Sequence, residues 1–160
     1  MFIRKAILIF GLLFLSMSLS NLAKADFVRG LEAHGRGDYE TALKEWLIDA
    51  NQGDAIAQFN LGVMYEFGEG VPENDAEAMK LYRLAADQGY ADAQINLGNM
   101  YARGEAVPSN FIIAYMWYSL ATAQGFEGAH GNKEILNQNM TPEQIAEAER
   151  LAQEWLEEHQ

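Results

Sequence analysis

One interval of 36 residues recurs along the chain and constrains its fold more than any other feature. Gly53, Gly89 and Gly125 are separated by this interval. The same interval relates a long series of identical residues: Ala57 with Ala93 and Ala129, Leu61 with Leu97, Gly62 with Gly98, Tyr65 with Tyr101, Val71-Pro72 with Val107-Pro108, Asn74 with Asn110, Ala78 with Ala114, Tyr82 with Tyr118, Ala85 with Ala121, and Gln88 with Gln124. Self-similarity at such a period is typical of proteins built from stacked repeats.

The spacing inside each unit predicts two helices. Ala57, Leu61 and Tyr65 follow one another at intervals of four residues, which places them on one stripe of a helix. Ala78 and Tyr82 begin a second stripe with the same spacing. Each unit is therefore expected to be a helical hairpin with one apolar stripe on each helix.

Turn and capping residues separate these helices. The segment 68–72, Gly-Glu-Gly-Val-Pro, breaks the first helix, and Asn74 is suited to cap the second. Gly89 is suited to end it. A single hairpin of this size cannot bury its own apolar stripe, so successive hairpins must stack on one another. The predicted fold is all-α, a right-handed α/α superhelix.

Gly62 and Gly98 lie inside predicted helices, where glycine costs about 1 kcal/mol relative to alanine. A glycine at such a position indicates that a neighbouring group approaches too closely for a Cβ. Tyr82 and Tyr118, on the second helix of each unit, are the bulky residues expected to face these two glycines.

The recurring residues also form a motif. Residues 91–101 read Ala-x-Ala-Gln-x-x-Leu-Gly-x-x-Tyr, residues 114–121 read Ala-x-x-Trp-Tyr-x-x-Ala, and residues 55–89 match equally well. This motif resembles the Sel-like repeat (SLR, the Sel-one type), a relative of the tetratricopeptide repeat (TPR). The resemblance implies a TPR-like solenoid with an adaptor role and no catalytic centre.

The segments that flank the two repeats fit the pattern less closely. Residues 37–46 match a second helix in phase with the repeat, after a shorter loop, whereas the register fails after Ala129. Thr141, Pro142 and Gln144 have the spacing of a helix N-terminus with a capping box. The expected organisation is a signal peptide at 1–25, a TPR-like hairpin at 26–53, Sel-like repeats at 54–89 and 90–125, and a divergent terminal hairpin with a capping helix at 126–160.

The first 25 residues have the three parts of a secretory signal peptide. Arg4 and Lys5 precede an apolar stretch at 6–19, and Ala23 and Ala25 provide the small residues of a cleavage site. The alternative is an uncleaved membrane anchor, but the apolar stretch is shorter than the roughly 20 residues that a spanning helix needs. We expect cleavage after Ala25 and a periplasmic or secreted protein without stable membrane insertion.

The charge of the chain limits its partners. The sequence has 11 basic and 23 acidic residues, and three of the basic ones lie in the predicted signal peptide. The mature chain would keep 8 basic and 23 acidic residues, a formal net charge of −15. Such a surface repels nucleic acid and anionic lipid and favours basic partners, although it would also be typical of a merely solvated surface. There is no cysteine, so packing alone must hold an exported domain together.

Candidate catalytic and metal-binding residues are few and scattered. His34, His130 and His159 lie in distant parts of the chain, and none has a second histidine or cysteine at helical spacing. Ser109 and Ser119, the serines that follow the predicted signal peptide, are not in a nucleophile elbow. We therefore expect no catalytic residue, no cofactor and no metal site.

The solvent side of the first helices is the predicted binding site. In TPR relatives this side lines a concave groove that binds peptides or protein segments, and the resemblance carries the following positions over: Phe59, Asn60, Val63, Phe67, Ile95, Asn96, Asn99 and Arg103. The predicted function is a protein–protein interaction scaffold in the bacterial cell envelope. A glycan or small-ligand binder, and less so an envelope hydrolase, are the alternatives.

Overall fold

The computed structural model describes residues 28–159, so the predicted signal peptide lies outside the described residues. Within this range the regular structure is entirely helical. The helices are α1 (described for 28–35), α2 (Tyr39–Asn51), α3 (Ala55–Phe67), α4 (Asp75–Ala86), α5 (Ala91–Arg103), α6 (Phe111–Ala123), α7 (Glu127–Asn137) and α8 (Pro142–Glu158).

Consecutive helices form hairpins that stack along the chain. The most extensive packing is between α3 and α4 and between α5 and α6, the two helix pairs of the predicted repeats. α2 packs on α3 and α4 packs on α5, which joins each hairpin to the next one. The predicted fold class, an all-α TPR-like superhelix, is confirmed.

Glycines allow the two helices of each hairpin to approach closely, as predicted. A Cβ placed on Gly62 would lie 2.6 Å from a ring atom of Tyr82, and one on Gly98 would lie 2.7 Å from Cδ1 of Tyr118. Gly30 in α1 faces the Trp46 ring in the same way. The first helices thus lie directly against large buried rings from the second helices.

Buried glutamines tie neighbouring hairpins together. Gln58 in α3 donates from Nε2 to the carbonyl oxygen of Ala50 at the end of α2. The Oε1 atom of Gln58 accepts a hydrogen bond from Gln88 at 2.8 Å. One period later, Gln94 donates to the carbonyl of Ala86 and accepts from Gln124 at 3.0 Å. Each glutamine therefore satisfies polar groups at the ends of two second helices, which fixes the distance between hairpins.

The helix ends also repeat. The side chains of Asp54, Asn74 and Asn110 accept a hydrogen bond from the backbone N–H three residues later, as N-caps do. Gly68 and Gly104 end the first helices in the left-handed conformation, at φ of 66° and 79°. The predicted cap at Asn74 is confirmed.

α8 covers the outer side of α6. Thr141 and Gln144 form the predicted capping box at its N-terminus. Along the helix, Ala152 is buried in one cluster with Met116, Trp117 and Leu120 of α6. α7 also packs on α6. No helix among residues 28–159 is long and apolar enough to span a membrane.

Candidate functional site

Phe67 and Arg103 are the two predicted groove residues that remain exposed. They lie one period apart, at the C-terminal ends of α3 and α5. The Phe67 residue is 65% exposed, more than any other large hydrophobic residue that the structure describes. The Arg103 side chain is 57% exposed, so both are accessible to a partner.

Asn60 and Asn96 are half-buried and also lie one period apart. The Asn60 side chain donates from Nδ2 to the carbonyl oxygen of Ile56 at 2.9 Å, which is one turn earlier in the same helix. The Asn96 side chain hydrogen-bonds the Tyr82 hydroxyl. Both amides are therefore held in place by the protein itself.

Phe59, Val63 and Ile95 contribute to packing. Phe59 and Val63 lie against the central buried cluster, and the Phe59 ring is 5.2 Å from that of Tyr90, centroid to centroid. Ile95 contacts two further buried clusters, one of which contains Ala129. The expectation that Ile95 lies away from the buried surface was wrong: its side chain fills the space between α5 and the next hairpin.

A polar contact connects α3, α4 and α5 on this side of the molecule. The Tyr82 hydroxyl, from α4, donates to Oε2 of Glu66 at 2.5 Å, and Asn96 of α5 bonds the same hydroxyl. Burial and the adjacent Glu66 carboxylate raise the pKa of Tyr82 well above its ordinary value, with the Asn96 contact acting in the opposite direction. The hydroxyl therefore stays protonated and fixes the relative positions of two first helices.

A second contact joins α5, α6 and α7. The Tyr118 hydroxyl donates to Oδ1 of Asn99 at 2.8 Å, and Asn132 of α7 donates to the same oxygen at 3.2 Å. Burial raises the pKa of Tyr118 to about 12, against a smaller opposing effect of the Arg103 charge. Asn99 was predicted to be a groove residue. Its side-chain oxygen accepts two hydrogen bonds from neighbouring helices, so this oxygen is already used within the protein.

Arg103 forms an ion pair with a residue just beyond the end of its own helix. Its Nη1 donates to Oε1 of Glu105 at 3.1 Å. Both residues are near the surface, and exposed ion pairs of this kind contribute little free energy. The guanidinium can therefore exchange Glu105 for a carboxylate of a partner at small cost.

The sequence-based prediction did not include three residues that lie on the same side of the first helices as the predicted groove residues. Asn132 follows Asn96, and Ile135 follows Asn99, at the same 36-residue interval. Ile135 and Leu31, which lies on α1, are exposed aliphatic side chains. The 36-residue interval alone would have identified Asn132 and Ile135 of α7. They were not predicted because the identities that define the repeat stop after Ala129.

We call the set of first-helix residues that reach this surface the first-helix face. It comprises Leu31, Asn60, Phe67, Asn96, Asn99, Arg103, Asn132 and Ile135. The face combines exposed aliphatic and aromatic side chains at its edges with amides at its centre.

The histidines and serines lie apart from one another. Nε2 of His34 is 2.6 Å from Oε2 of Glu69, and Nδ1 of His159 bonds the carbonyl oxygen of Trp155. The Ser109 hydroxyl donates to a backbone carbonyl. In the part of the chain that the structure describes, no group of three or more histidine and carboxylate side chains could hold a metal ion.

A cleft of about 570 Å³ lies between the ends of α4, α6 and α8. Leu120, Trp155 and Leu156 line it with apolar side chains, and Asp87 lines it from the C-terminal cap of α4. One face of the Trp155 ring is covered by His159, with centroids 4.1 Å apart and rings nearly parallel, and Trp117 contacts the same ring at 6.2 Å. The His159 ring therefore occupies one of the two faces of Trp155 on which a sugar could stack.

Comparison with known protein families identifies the repeated unit. The family model of the Sel1 repeat matches residues 55–90 and 91–126. The chain contains two Sel1 repeats. In these repeats the first helices are α3 and α5, which carry the centre of the first-helix face. Sel1 repeat proteins generally mediate protein–protein interactions.

Solved structures of Sel1-type proteins resemble the whole described array. One is a protective antigen present in uropathogenic Escherichia coli strains that displays an SLR fold, with 28% identity, a TM-score of 0.80 and coverage of 86% of this chain and 30% of the other. Another is a Sel1 repeat protein from Oxalobacter formigenes, with 29% identity, a TM-score of 0.68 and coverage of 81% and 55%. The chain thus spans under a third and about half of their lengths. No curated protein matches it.

Proposed function

We propose that the chain is an exported scaffold of the bacterial cell envelope that binds a segment of another protein on its first-helix face. The observation that carries this proposal is the pair Phe67 and Arg103. Both are exposed, and they stand one period apart on successive first helices. An aromatic and an arginine at neighbouring positions are the residue types that dominate binding energy at protein interfaces.

The amides at the centre of the face support binding of an extended segment. Asn60, Asn96 and Asn132 follow one another at intervals of 36 residues on three successive first helices. Amide side chains can both donate to and accept from a peptide backbone. Asn96 and Asn132 already take part in hydrogen bonds with the protein, which reduces the entropy lost when a partner binds.

Charge indicates the character of the partner. The acidic excess of the chain favours a segment with net positive charge, because complementary charge accelerates association. Arg103 places a positive charge within this otherwise acidic chain's binding site. The segment is therefore expected to contain one carboxylate that pairs with it.

The test is a double variant, Phe67→Ala with Arg103→Ala, in cells that express the full chain. Both side chains are exposed, so the variant should unfold at the same temperature as the unchanged protein, which circular dichroism measures. It should lose its partner in crosslinking in living cells followed by mass spectrometry. A matched control, Leu47→Ala with Phe111→Ala, changes exposed apolar residues of second helices and should keep the partner. Recovery of the partner by the Phe67/Arg103 variant at the unchanged yield would refute the proposed site.

A further inference from the structure

α8 packs on the outer side of α6. α2 and α4 are the second helices of the two earlier hairpins, and each has an equivalent outer side. Met116 and Leu120 of α6 are 7% and 2% exposed, and they share one buried cluster with Ala152 of α8. Trp155 and Leu156 of α8 pack against the same cluster. The outer side of a second helix in this array is therefore a surface on which an amphipathic helix can pack.

Among residues 28–159, no helix packs on the same positions of the two earlier hairpins in the way that α8 packs on α6. One period before Met116 and Leu120 lie Lys80 and Leu84 of α4, and one further period before them lie Lys44 and Ile48 of α2. Leu84 is 44% exposed and Ile48 is 49% exposed. We call these four residues the outer face. Two aliphatic side chains in one register, each one turn after a lysine, form a repeated apolar and basic surface.

The lysines indicate the charge of what packs there. The chain carries 11 basic and 23 acidic residues, and this surface includes two of the basic ones at equivalent positions of successive second helices. Lys80 bonds Glu77 at 2.9 Å, an exposed pair three residues apart that contributes little free energy and can open. The methylene stems of both lysines can extend the apolar surface while their ammonium groups meet carboxylates at its rim.

α8 shows the chemistry that such a helix would have. Its apolar side, with Ala148 and Ala152, is buried, while Glu147 and Glu154 lie on its exposed side with Arg150 between them. It is an amphipathic helix flanked by acidic residues. The apolar side of a second copy's α8 is already used on its own α6, so a copy of this chain does not offer the required helix.

We propose that the outer face, Lys44, Ile48, Lys80 and Leu84, is a second docking surface that binds an amphipathic helix of a partner protein with acidic residues beside its apolar stripe. This surface is separate from the first-helix face, because it is formed by second helices. The scaffold would then hold two partners of opposite character, a basic extended segment on one side and an acidic helix on the other.

The probe is a fluorescein-labelled synthetic peptide with the sequence of residues 141–160, titrated with the full mature chain and followed by fluorescence anisotropy. The peptide should bind, and binding should weaken as salt is raised. The double variant Ile48→Ser with Leu84→Ser should weaken binding by about tenfold or more, because two aliphatic contacts are lost. Lys44→Glu with Lys80→Glu should weaken binding at low salt and have a smaller effect at high salt.

Controls separate this surface from other sites on the protein. Phe111→Ser with Phe126→Ser removes two exposed apolar side chains that belong to neither face and should leave binding unchanged. Failure of the peptide to bind would overturn the proposal. Equal binding to the Ile48/Leu84 variant would also overturn it, since the peptide would then be exchanging with α8 on α6. Dimerisation of the unchanged chain that the same variant abolishes, measured by analytical ultracentrifugation, would overturn it by assigning the face to a second copy.

Discussion

Gly98 sets the distance between α5 and α6. Its Cα faces the Tyr118 ring, which is almost fully buried and whose hydroxyl donates to Asn99. The ring cannot move aside without losing that bond and its packing. The glycine is thus needed for space, and its helical φ makes no special demand.

We predict that Gly98→Ala destabilises the protein by about 1–3 kcal/mol, because the added methyl would overlap the Tyr118 ring. Gly131 in α7 is the matched control, since a Cβ there meets no atom within 4 Å. Gly131→Ala should instead stabilise the protein by about 1 kcal/mol through helix propensity. Urea unfolding measures both changes. Equal effects of the two substitutions would contradict the packing explanation.

Ala106 occupies a position where the repeat favours glycine. Its φ is 58°, in the left-handed region, and its counterpart one period earlier is Gly70 at 72°. A residue with a Cβ is disfavoured there by about 1–2 kcal/mol. The loop between α5 and α6 therefore keeps the geometry of the preceding loop at the expense of local strain.

We predict that Ala106→Gly stabilises the protein by about 0.5–1 kcal/mol, the strain relieved less the entropy that glycine adds to the unfolded chain. The reverse change, Gly70→Ala, should destabilise it by more than this amount. In addition to the strained φ, its methyl would lie 2.5 Å from Cβ of Tyr39. Thermal unfolding of both variants tests the pair, and a loss of stability in Ala106→Gly would contradict it.

At the scale of elements, α8 packs across both preceding helices, α6 and α7. Its N-terminal part packs beside α7, where Ala148 joins a cluster with Leu136 and Met140. Its C-terminal part crosses α6, where Trp155 meets Trp117. Since α8 contributes to two buried clusters, the stability of its first turn affects the whole second half of the molecule.

We predict that Thr141→Ala destabilises the protein by about 1 kcal/mol, because the hydroxyl accepts from the Gln144 N–H in the capping box. Thr141→Ser keeps this hydroxyl and should retain most of the stability. Chemical denaturation gives the difference between the two variants. Equal loss in both would show that the methyl group of Thr141, and not the cap, is responsible.

At the scale of the whole molecule, the array has two surfaces of different chemistry. The first-helix face presents amides between exposed Phe67 and Arg103, and the outer face presents lysines beside exposed Ile48 and Leu84. The two surfaces lie on different helices, because the first-helix face is formed by first helices and the outer face by second helices. The two proposals together predict a scaffold that binds one partner on each surface.

We predict that the exported protein begins at Asp26, because Ala23 and Ala25 provide the small residues that signal peptidase requires. Its formal net charge would then be three units more negative than that of the full chain, since Arg4, Lys5 and Lys24 are removed. Intact-mass measurement of the periplasmic or secreted fraction tests this. A mass that includes residues 1–25 would contradict cleavage and favour an anchored protein.

The sequence by itself determined the repeat, the helix pairs and their closest contacts. An interval of 36 residues and spacings of four within each unit specify helices with stacked apolar stripes. Gly62 and Gly98 identified their partners Tyr82 and Tyr118 because small and large residues must alternate across a tight contact. The cap at Asn74 and the capping box at Thr141 followed from rules that act within four residues.

Only the tertiary structure decided which polar and apolar groups of the first-helix face remain available. The sequence predicted both Asn99 and Arg103 to be exposed helix positions. In the structure Asn99 accepts hydrogen bonds from Tyr118 and Asn132, while Arg103 donates to Glu105 at the surface. Ile95 is covered by the next hairpin. These outcomes depend on contacts between side chains that are up to one repeat apart in the sequence. The spacing of residues along one helix carries no information about such contacts.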